Sequence, residues 1–517
     1  MRDQTLKNRV VVIGAGIAGL SSALALSARG FAVTVLERAA APGGKMRQIG
    51  VGPARIDSGP TVFTMRWVFE ELFAGAGLNF TDHVRLKPLS VLARHAWDDK
   101  AHLDLFADEA RSADAIGQFA GAAEARRYRQ FCADSKRIYQ ILEQPFLRAT
   151  APSLPGLATA NGIGGLLELR KIRPFTTMWN ALGDYFHDPR LRQLFGRYAT
   201  YCGSSPYQAP ATLMLVAHVE AQGVWIIDGG MHALAEALAG SATARGAEIR
   251  YGAEVREIMV SGGRAAGVIL QSGERIEASS VIVNADVGAL PAGLFGKATQ
   301  GAAKAIAPPA RSLSAITWSM VAKTDGFPLS RHSVFFSRDY KREFDDIARG
   351  DVPGEPTVYI CGQDRIDDEA RLGDDGQEEL LMLINAPANG DRRNYTSDDI
   401  TALGQRSFAA LERCGLKIAY DPSNAVVTTP SDFNRLFPAT GGALYGRASH
   451  GWAASFERPG ARTKIPGLYL AGGSTHPGPG VPMAALSGRA AAASLLADVE
   501  ADLRRLGPVL SPLTAPK

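Results

Sequence analysis

Three glycines and one acid near the N-terminus have the types and spacing of a phosphate-binding turn. They are Gly14, Gly16 and Gly19, in the pattern G-x-G-x-x-G, and Glu37. The first glycine allows a tight bend, the second lets a pyrophosphate reach the backbone, and the third lets a helix pack closely on a strand. The Glu37 carboxylate would accept hydrogen bonds from an adenosine ribose. The pattern therefore predicts a dinucleotide site.

The elements around these residues are those that such a site needs. Strand NRVVVIGAG leads into the glycines, helix LSSALALSARG ends at Gly30, and strand FAVTVLE closes on Glu37. The N–H groups and dipole at the start of the helix would hold the phosphates. Residues 10–28 imitate a signal sequence or a membrane span, but the glycines and the following strand favour a βαβ unit. A glycine-rich turn without a ligand is the alternative.

A second glycine-rich stretch, GLYLAGGSTHPGPGVPMAALSG, occupies residues 467–488. A short buried strand ends there at Gly472 and Gly473, where backbone without side chains can lie against a flat ring system. A helix follows, and its N-terminus would face the polar edge of that ring. His476 in the connecting loop is either a base or a hydrogen-bond donor that fixes the loop, and both interpretations stay open.

The composition limits the function classes. The chain has 517 residues, of which 46% are hydrophobic, enough for a large core in two or more domains. The net charge is +4, and the short basic clusters accompany no nucleic-acid motif, so no nucleic-acid partner is expected. The four cysteines lack CxxC spacing, which favours a reducing cytoplasm. Neither an HExxH or Cys/His ligand set nor a GxSxG elbow occurs, so we predict no metal site and no serine nucleophile.

Several further motifs resemble those of a known family. They are ERAAAPGGK at residues 37–45, DSGPT at 57–61, WIIDGGMHALAEALA at 225–239, EIRYGAEVREIMVSGGRAAGVIL at 248–270, SSVIVNAD at 279–286 and THPGPGVP at 475–482. Together they resemble the flavin amine oxidase and phytoene desaturase superfamily, and within it the bacterial carotenoid desaturases. The combination is most similar to the hydroxyneurosporene (methoxyneurosporene) desaturase branch. The resemblance covers nearly the whole chain, in the expected order.

The resemblance implies an α/β fold and FAD as the cofactor. It predicts a Rossmann-like FAD-binding domain of the amine oxidase/phytoene desaturase type, with an inserted mixed sheet and a helical substrate domain. The FAD-binding domain would comprise residues 1–66, 224–290 and 440–505. The substrate domain, which would face a membrane, would comprise 67–223 and 291–439, the first of which looks largely helical. The proline-rich residues 506–517 would form a disordered tail.

The resemblance also assigns residues to the site. Many flavoproteins have an acid after the glycine corresponding to Gly472, so here Ser474 or backbone would contact the ribityl chain. Arg148 is implied as a polar residue of the site, with a surface arginine as the alternative. Trp225 would line a substrate tunnel or pack in the core. The predicted cofactor-binding residues are Gly14, Gly16, Ile17, Ala18, Gly19, Glu37, Arg38, Gly43, Gly44, Lys45, Gly59, Pro60, Thr61, Val255, Asn284, Gly472, Gly473, Val481, Pro482 and Met483.

The implied activity is FAD-dependent desaturation of a 1-hydroxylated acyclic carotenoid such as 1-hydroxyneurosporene. At the C3–C4 bond, a hydride would leave C4 for the flavin because the conjugated chain spreads the positive charge, and a base or water would remove the C3 proton. Since a second dinucleotide fingerprint is lacking, the electrons would pass to oxygen or a membrane quinone. Arg148 and His476 are the candidate catalytic residues.

A long apolar substrate dissolves in lipid, so we expect a cytoplasmic enzyme bound peripherally to the membrane surface. Residues suited to that contact, or to ordinary amphipathic helices, are Leu154, Leu157, Leu166, Leu167, Phe175 and Trp179, interleaved with Arg170, Lys171 and Arg173. Other functions also stay open. The same scaffold would suit a phytoene desaturase, a carotenoid isomerase or an amine oxidase. A prenyl-lipid chaperone is a further alternative, although such proteins have a degraded fingerprint and this one is complete.

Overall fold

The computed structural model describes residues 8–153, 172–366, 369–370 and 376–505. The predicted tail, 506–517, lies outside these residues. So do six of the side chains predicted for the membrane surface, which are Leu154, Leu157, Leu166, Leu167, Arg170 and Lys171.

The described residues contain strands from one end of the chain to the other. In chain order they are β1 (Arg9–Ile13), β2 (Ala32–Leu36), β3 (Gln48–Val51), β4 (Ala54–Asp57), β5 (Leu86–Pro88), β6 (Val91–Ala96), β7 (His102–Phe106), β8 (Trp225–Ile227), β9 (Glu248–Arg250), β10 (Val255–Ser261), β11 (Arg264–Leu270), β12 (Arg275–Glu277), β13 (Ser280–Val283), β14 (Ser314–Ala322), β15 (Thr324–Gly326), β16 (His332–Phe335), β17 (Val358–Gly362), β18 (Arg365–Ile366), β19 (Glu369–Ala370), β20 (Glu378–Ala386), β21 (Leu416–Ile418), β22 (Ala425–Thr428) and β23 (Leu468–Leu470).

Helices alternate with these strands. They are α1 (Ile17–Ser27), α2 (Trp67–Ala74), α3 (Glu109–Ala120), α4 (Ala122–Leu142), α5 (Met178–Tyr185), α6 (Pro189–Gly196), α7 (Leu215–Ala221), α8 (Met231–Ala244), α9 (Tyr340–Arg349), α10 (Ser397–Arg413), α11 (Pro430–Leu436) and α12 (Val481–Arg505). A π-helical turn, Glu143–Leu147, continues α4. In the described ranges, no helix has both the length and the apolar character to cross a bilayer.

A parallel sheet of five strands has the order β23-β13-β1-β2-β9. Strands β1, β2, β13 and β23 are short and mainly apolar because both faces of the sheet are covered, whereas the edge strand β9 is mainly polar. One face packs against α1, which in turn contacts α8 and α12. The approach of α12 to α1 is close, since a Cβ on Gly488 would lie 2.1 Å from the carbonyl oxygen of Ala18. The meander β10-β11-β12 shares a core with the other face, which includes Val11 and Leu36.

A mixed sheet of seven strands has the order β22-β14-β20-β17-β16-β6-β7. The β16–β6 pair is parallel and the other pairs are antiparallel. Two of these strands come from residues 91–106, in a segment whose sequence looks largely helical. The reason is visible in β6, where all six residues are buried, so that its polar and apolar residues do not alternate. Its Arg94 is paired with Asp104 of β7 at 2.7 Å.

Candidate active site

The turn between β1 and α1 has no room for side chains at its glycines. A Cβ on Gly19 would lie 2.1 Å from the carbonyl oxygen of Gly14. Gly14 has a φ of +97°, a conformation that favours glycine. Gly16 is the N-cap of α1 and offers no side chain to the first turn. The first-turn N–H groups, including those of Ile17 and Ala18, therefore need a partner from outside the helix.

The segment after β2 returns to this turn. Glu37 is buried, and its carboxylate accepts a hydrogen bond from the N–H of Ala15 at 2.7 Å. Gly43 donates its N–H to the carbonyl oxygen of Ala15 at 2.8 Å. A Cβ on Gly44 would lie 3.3 Å from the Cα of Gly16. The structure thus brings Glu37, Gly43 and Gly44 together at the glycine turn, as the sequence predicts.

Two predicted cofactor residues have side chains that turn elsewhere. Arg38 is exposed, and its guanidinium donates to the carbonyl oxygen of Leu436. Val255 begins β10 and is buried in the core between the meander and the five-stranded sheet. Its side chain is a core side chain, so any contact with a cofactor would come from its backbone.

Asn284 follows β13 and joins three strand ends. Its Oδ1 accepts from the N–H of Gly19 at 2.9 Å, and its Nδ2 donates to the carbonyl oxygen of Ala471 at 3.2 Å. Gly472 lies beside it with a φ of +134°, and a Cβ there would come 3.1 Å from Nδ2. The carboxyl ends of β1, β13 and β23 therefore meet at one amide side chain, where ligands of open α/β sheets bind.

The backbone at Gly59 and Pro60 passes close to the backbone at Lys45. A Cβ on Gly59 would lie 2.0 Å from the carbonyl oxygen of Lys45. Pro60 is partly exposed, and the hydroxyl of Thr61 lies 2.6 Å from that of Tyr359. Position 59 therefore accommodates only glycine in this arrangement.

Two cations, Lys45 and Arg458, and one carboxylate, Asp286, lie near one another beside the glycine-rich crevice. Arg458 is 3% exposed and donates to the carbonyl oxygens of Tyr445 at 3.0 Å and Gly473 at 3.1 Å. Burial lowers the pKa of Lys45 and lowers that of Arg458 to about 10, while the charge of Asp286 raises both. Asp286 Oδ2 has no hydrogen-bond partner among the described residues. The region thus has a surplus of positive charge.

Ser474 and its neighbours already have partners within the protein. Its Oγ accepts a hydrogen bond from the N–H of Val287 at 3.0 Å, and Gly472 donates its N–H to Ser487 Oγ at 3.1 Å. Both predicted sources of a ribityl contact, the Ser474 hydroxyl and the backbone around Gly473, therefore stay predictions.

These residues fit FAD. Glycines line the crevice at positions where a Cβ would meet a neighbouring segment, and the first turn of α1 offers N–H groups to a pyrophosphate. The Glu37 oxygens keep further lone pairs for a ribose. The surplus charge of Lys45 and Arg458 suits the electron-rich edge of a flavin.

An apolar cavity of about 810 Å³ lies beside the crevice. This volume is within the ~300–1,000 Å³ typical of small-molecule sites. Pro482 and Met483 line it from the start of α12, next to buried Val481. The other lining residues are mainly apolar and are Thr64, Met65, Leu142, Phe146, Leu147, Ile172, Arg173, Pro174, Phe175, Thr176, Tyr201, Cys202, Pro210, Thr212, Leu213, Leu215, Val216, Val219, Ser449, Trp452, Phe456, Arg458, Pro477, Pro479 and Gly480.

The cavity has an exposed aromatic rim and a buried inner end. Phe175 is 79% exposed and Trp452 is 44% exposed, and their ring centres lie 5.4 Å apart. Arg458 belongs to the inner end, which adjoins the crevice. The cavity wall thus extends from the exposed rim to a residue that contacts the crevice at Gly473.

His476 is not among the described residues that line the cavity. It is 2% exposed, and its Nε2 lies 2.8 Å from the carbonyl oxygen of Phe146. Burial lowers its pKa to about 4, so it is neutral at pH 7 and donates this hydrogen bond. Of its two interpretations, the geometry favours the donor that fixes the loop.

Arg148 is likewise absent from the described lining. Its guanidinium pairs with Glu71 at 3.0 Å and Glu143 at 3.1 Å, and stacks 3.9 Å from the ring centre of Trp67. Its donors are thus used in a partly exposed ion-pair network. This is the surface arginine of the alternative interpretation, and the structure does not bring it to the reacting end of the cavity.

Trp225 also packs in the protein. It lies in β8, and its ring meets that of Phe63 edge-on at 6.4 Å.

Sequence reasoning missed Arg197, Tyr201 and Arg458 as residues of the site. The i, i+4 spacing of Arg197 and Tyr201 is a signal that places them on one side of a helical turn, but an ordinary surface helix has the same spacing.

The sequence is similar to those of known carotenoid enzymes. It is 53% identical to a hydroxyneurosporene desaturase of Rubrivivax gelatinosus, over 99% of this chain and 97% of the relative. It is 45% identical to a hydroxyneurosporene desaturase of Cereibacter sphaeroides, over 95% of this chain and 98% of the relative.

The fold is similar to that of a solved oxidase. Cyclohexylamine oxidase from Brevibacterium oxydans superposes with a TM-score of 0.55 at 16% identity, over 96% of this chain and all of that one. This likeness confirms the predicted fold class. The family model of flavin containing amine oxidoreductases matches residues 17–496. The chain therefore belongs to the flavin containing amine oxidoreductase family and, as its sequence predicts, is an FAD-dependent oxidoreductase.

Proposed function

We propose that this protein is a carotenoid desaturase that introduces the C3–C4 double bond into 1-hydroxylated acyclic carotenoids. The observation that carries the proposal is the 53% identity, over nearly the whole chain, to a protein named hydroxyneurosporene desaturase. The apolar cavity beside the crevice supports it, since a polyene needs an oily, elongated site.

Bound FAD supplies a two-electron acceptor. The chain's own residues would hold it: the N–H groups at the start of α1 would bind the pyrophosphate, Glu37 would bind the ribose, and the backbone at Gly472 and Gly473 would line the place of the ring. Departure of a hydride from C4 leaves a positive charge that the polyene spreads, so a weak base or water suffices for the C3 proton. What the cavity must do is exclude solvent and align the reacting carbon.

The rim of the cavity is the proposed contact with the membrane. Each CH₂ that leaves water gains about 0.8 kcal/mol, but a carotenoid that moves from lipid into an apolar cavity gains little. Entry is therefore easiest when the rim touches the bilayer. Exposed Phe175 and Trp452 suit that position, since aromatic rings favour the membrane interface. Electrons would then leave to a membrane quinone or to oxygen.

The test is a direct assay. FAD-loaded protein is incubated with liposomes that carry either 1-hydroxyneurosporene or phytoene, and with cyclohexylamine in a third arm. Products are separated by chromatography. We expect the 1-hydroxycarotenoid to gain one double bond and a longer-wavelength absorption. Conversion of phytoene alone, or of the amine alone, would contradict the proposal.

A further inference from the structure

A polar side chain, Tyr201, lies in the wall of the mainly apolar cavity, and Arg197 is its hydrogen-bonded neighbour. Tyr201 lines the cavity, and Arg197 Nη1 donates to Tyr201 Oη at 3.0 Å. Both residues belong to the short 3₁₀ segment Arg197–Cys202. The phenol oxygen keeps a lone pair beyond the one that Arg197 uses, so a polar ligand atom could bind there.

Arg197 has donors to spare. A guanidinium carries five N–H groups, and within the described ranges the hydrogen-bond partner of this side chain is Tyr201. The guanidinium carbon lies 5.1 Å from the ring centre of Tyr201 and 5.3 Å from that of Tyr359. Part of the Arg197 surface stays accessible. The guanidinium therefore orients the hydroxyl of Tyr201, the residue of the two that lines the cavity.

Glu220 provides charge balance behind the pair. It is 6% exposed, and Tyr198 Oη donates to its Oε2 at 2.6 Å. Burial raises the pKa of Glu220, while interactions with the phenols of Tyr198 and Tyr201 and with the Arg197 charge lower it. Glu220 therefore interacts with both Arg197 and Tyr201.

The pair also lies close to the predicted cofactor segment. Arg197 contacts the ring of Tyr359, whose hydroxyl lies 2.6 Å from that of Thr61. A carotenoid that reacts at C3–C4 must bring this bond to the crevice. Its C1 hydroxyl is only a few bonds away from C4, so the partner of that hydroxyl must lie beside the crevice too.

We propose, on the basis of the desaturase activity above, that Tyr201, oriented by Arg197, forms a hydroxyl subsite for the tertiary alcohol at C1 of the carotenoid. An alcohol both donates and accepts. It would donate to Tyr201 Oη, the atom that Arg197 holds in place. The hydroxyl subsite selects 1-hydroxylated substrates, because an unhydroxylated chain would place carbon against this oxygen and leave its remaining lone pair without a partner.

The decisive variant is Tyr201→Phe, which keeps the ring beside Arg197 and removes only the hydroxyl. Tyr198→Phe is the matched control, since it removes a neighbouring buried phenol oxygen that does not line the cavity. Affinity for 1-hydroxyneurosporene and for neurosporene is measured by quenching of protein fluorescence, and kcat/KM by chromatography. Flavin content and thermal unfolding verify that each variant is folded. If Tyr201→Phe does not fold, Arg197→Lys replaces it.

We expect the wild type to prefer the hydroxylated carotenoid at least tenfold. Tyr201→Phe should lose about tenfold in affinity and kcat/KM for that carotenoid, change little for neurosporene, and differ from Tyr198→Phe in this ratio. An unchanged ratio, or an equal loss for both carotenoids, would overturn the hydroxyl subsite. If the wild type converts neither carotenoid, the proposed function fails, and the binding ratio alone decides on the subsite.

Discussion

Gly19 and Asn284 are 265 positions apart in the chain, yet the N–H of Gly19 donates to Asn284 Oδ1 at 2.9 Å. The same amide side chain reaches Ala471 through its Nδ2. A single residue after β13 thus holds the start of α1 and the end of β23 in register. The crevice depends on this contact because its two glycine-rich walls come from opposite ends of the chain.

Replacement of Asn284 by alanine should therefore destabilise the protein. It would leave the N–H of Gly19 and the carbonyl of Ala471 without partners, at a cost of about 2–4 kcal/mol. The free energy of unfolding in urea checks this value, and retained flavin absorbance shows whether the crevice survives. Exposed Asn180→Ala is the control and should change the stability little. Equal stability of the two variants would contradict the role of Asn284.

Alanine at Gly19 should abolish flavin binding. Its Cβ would lie 2.1 Å from the carbonyl oxygen of Gly14, so α1 would have to move away from β1. Gly240, exposed in α8, has no neighbour within 4 Å of a Cβ. Gly240→Ala should instead stabilise the protein by about 0.5–1 kcal/mol, because alanine favours the helix. Flavin per chain and urea unfolding measure both effects, and a flavin-loaded Gly19→Ala would refute the first.

The stability of the protein should fall in acid, and protonation of His476 should account for part of that fall. Burial lowers its pKa to about 4, with the charge of Arg458 acting in the same direction, whereas an unfolded histidine titrates near ~6.5. Between these pH values the unfolded state binds a proton that the folded state does not, so the free energy of unfolding decreases as pH falls from about 6.5 to about 4, by up to ~3 kcal/mol. His476→Gln, which keeps a donor for Phe146, should show a shallower pH dependence. An identical pH dependence of the unfolding free energy in the wild type and in His476→Gln would contradict this role of His476.

Binding to liposomes should depend on the rim of the cavity. Trp452→Ser and Phe175→Ser remove exposed aromatic surface, and each should weaken flotation with vesicles about tenfold, in keeping with the ~1.5–3 kcal/mol gained by burial of a large apolar side chain. Leu294, 42% exposed and absent from the described cavity lining, supplies the control Leu294→Ser. If the control weakened binding as strongly, the membrane contact would have to lie elsewhere.

The N-terminal unit could be predicted from the sequence because its information is local. Gly14, Gly16 and Gly19 fix a turn within a few residues, and the strands on either side are continuous apolar runs. The fold class and FAD followed from motifs spread along the chain. Strand β6 could not be predicted in this way. Its Arg94 and His95 are buried by strands that arrive more than two hundred residues later, so no alternation of polar and apolar residues marks it.

The chemistry of the loops was harder to predict. His476 lies in the expected glycine-rich loop, but whether its ring faces the cavity or Phe146 depends on the π-helical turn at Glu143–Leu147. Arg148 is the residue after that turn, and its guanidinium pairs with Glu71 of α2 rather than with a substrate. Tyr201 and Arg197 became functional candidates only once the structure showed Tyr201 in the wall of the cavity. Side-chain direction in irregular segments is a tertiary property.

The order β23-β13-β1-β2-β9 has a consequence for biosynthesis. Strand β1 borders β13, and β13 has its outer neighbour only after Leu470 has been made. The cofactor crevice therefore closes only after the segment up to β23 has been translated, and a nascent chain exposes an unpaired parallel edge until then. Chaperones and the timing of flavin supply should accordingly matter more for the yield of this protein than they do for domains built from one continuous segment.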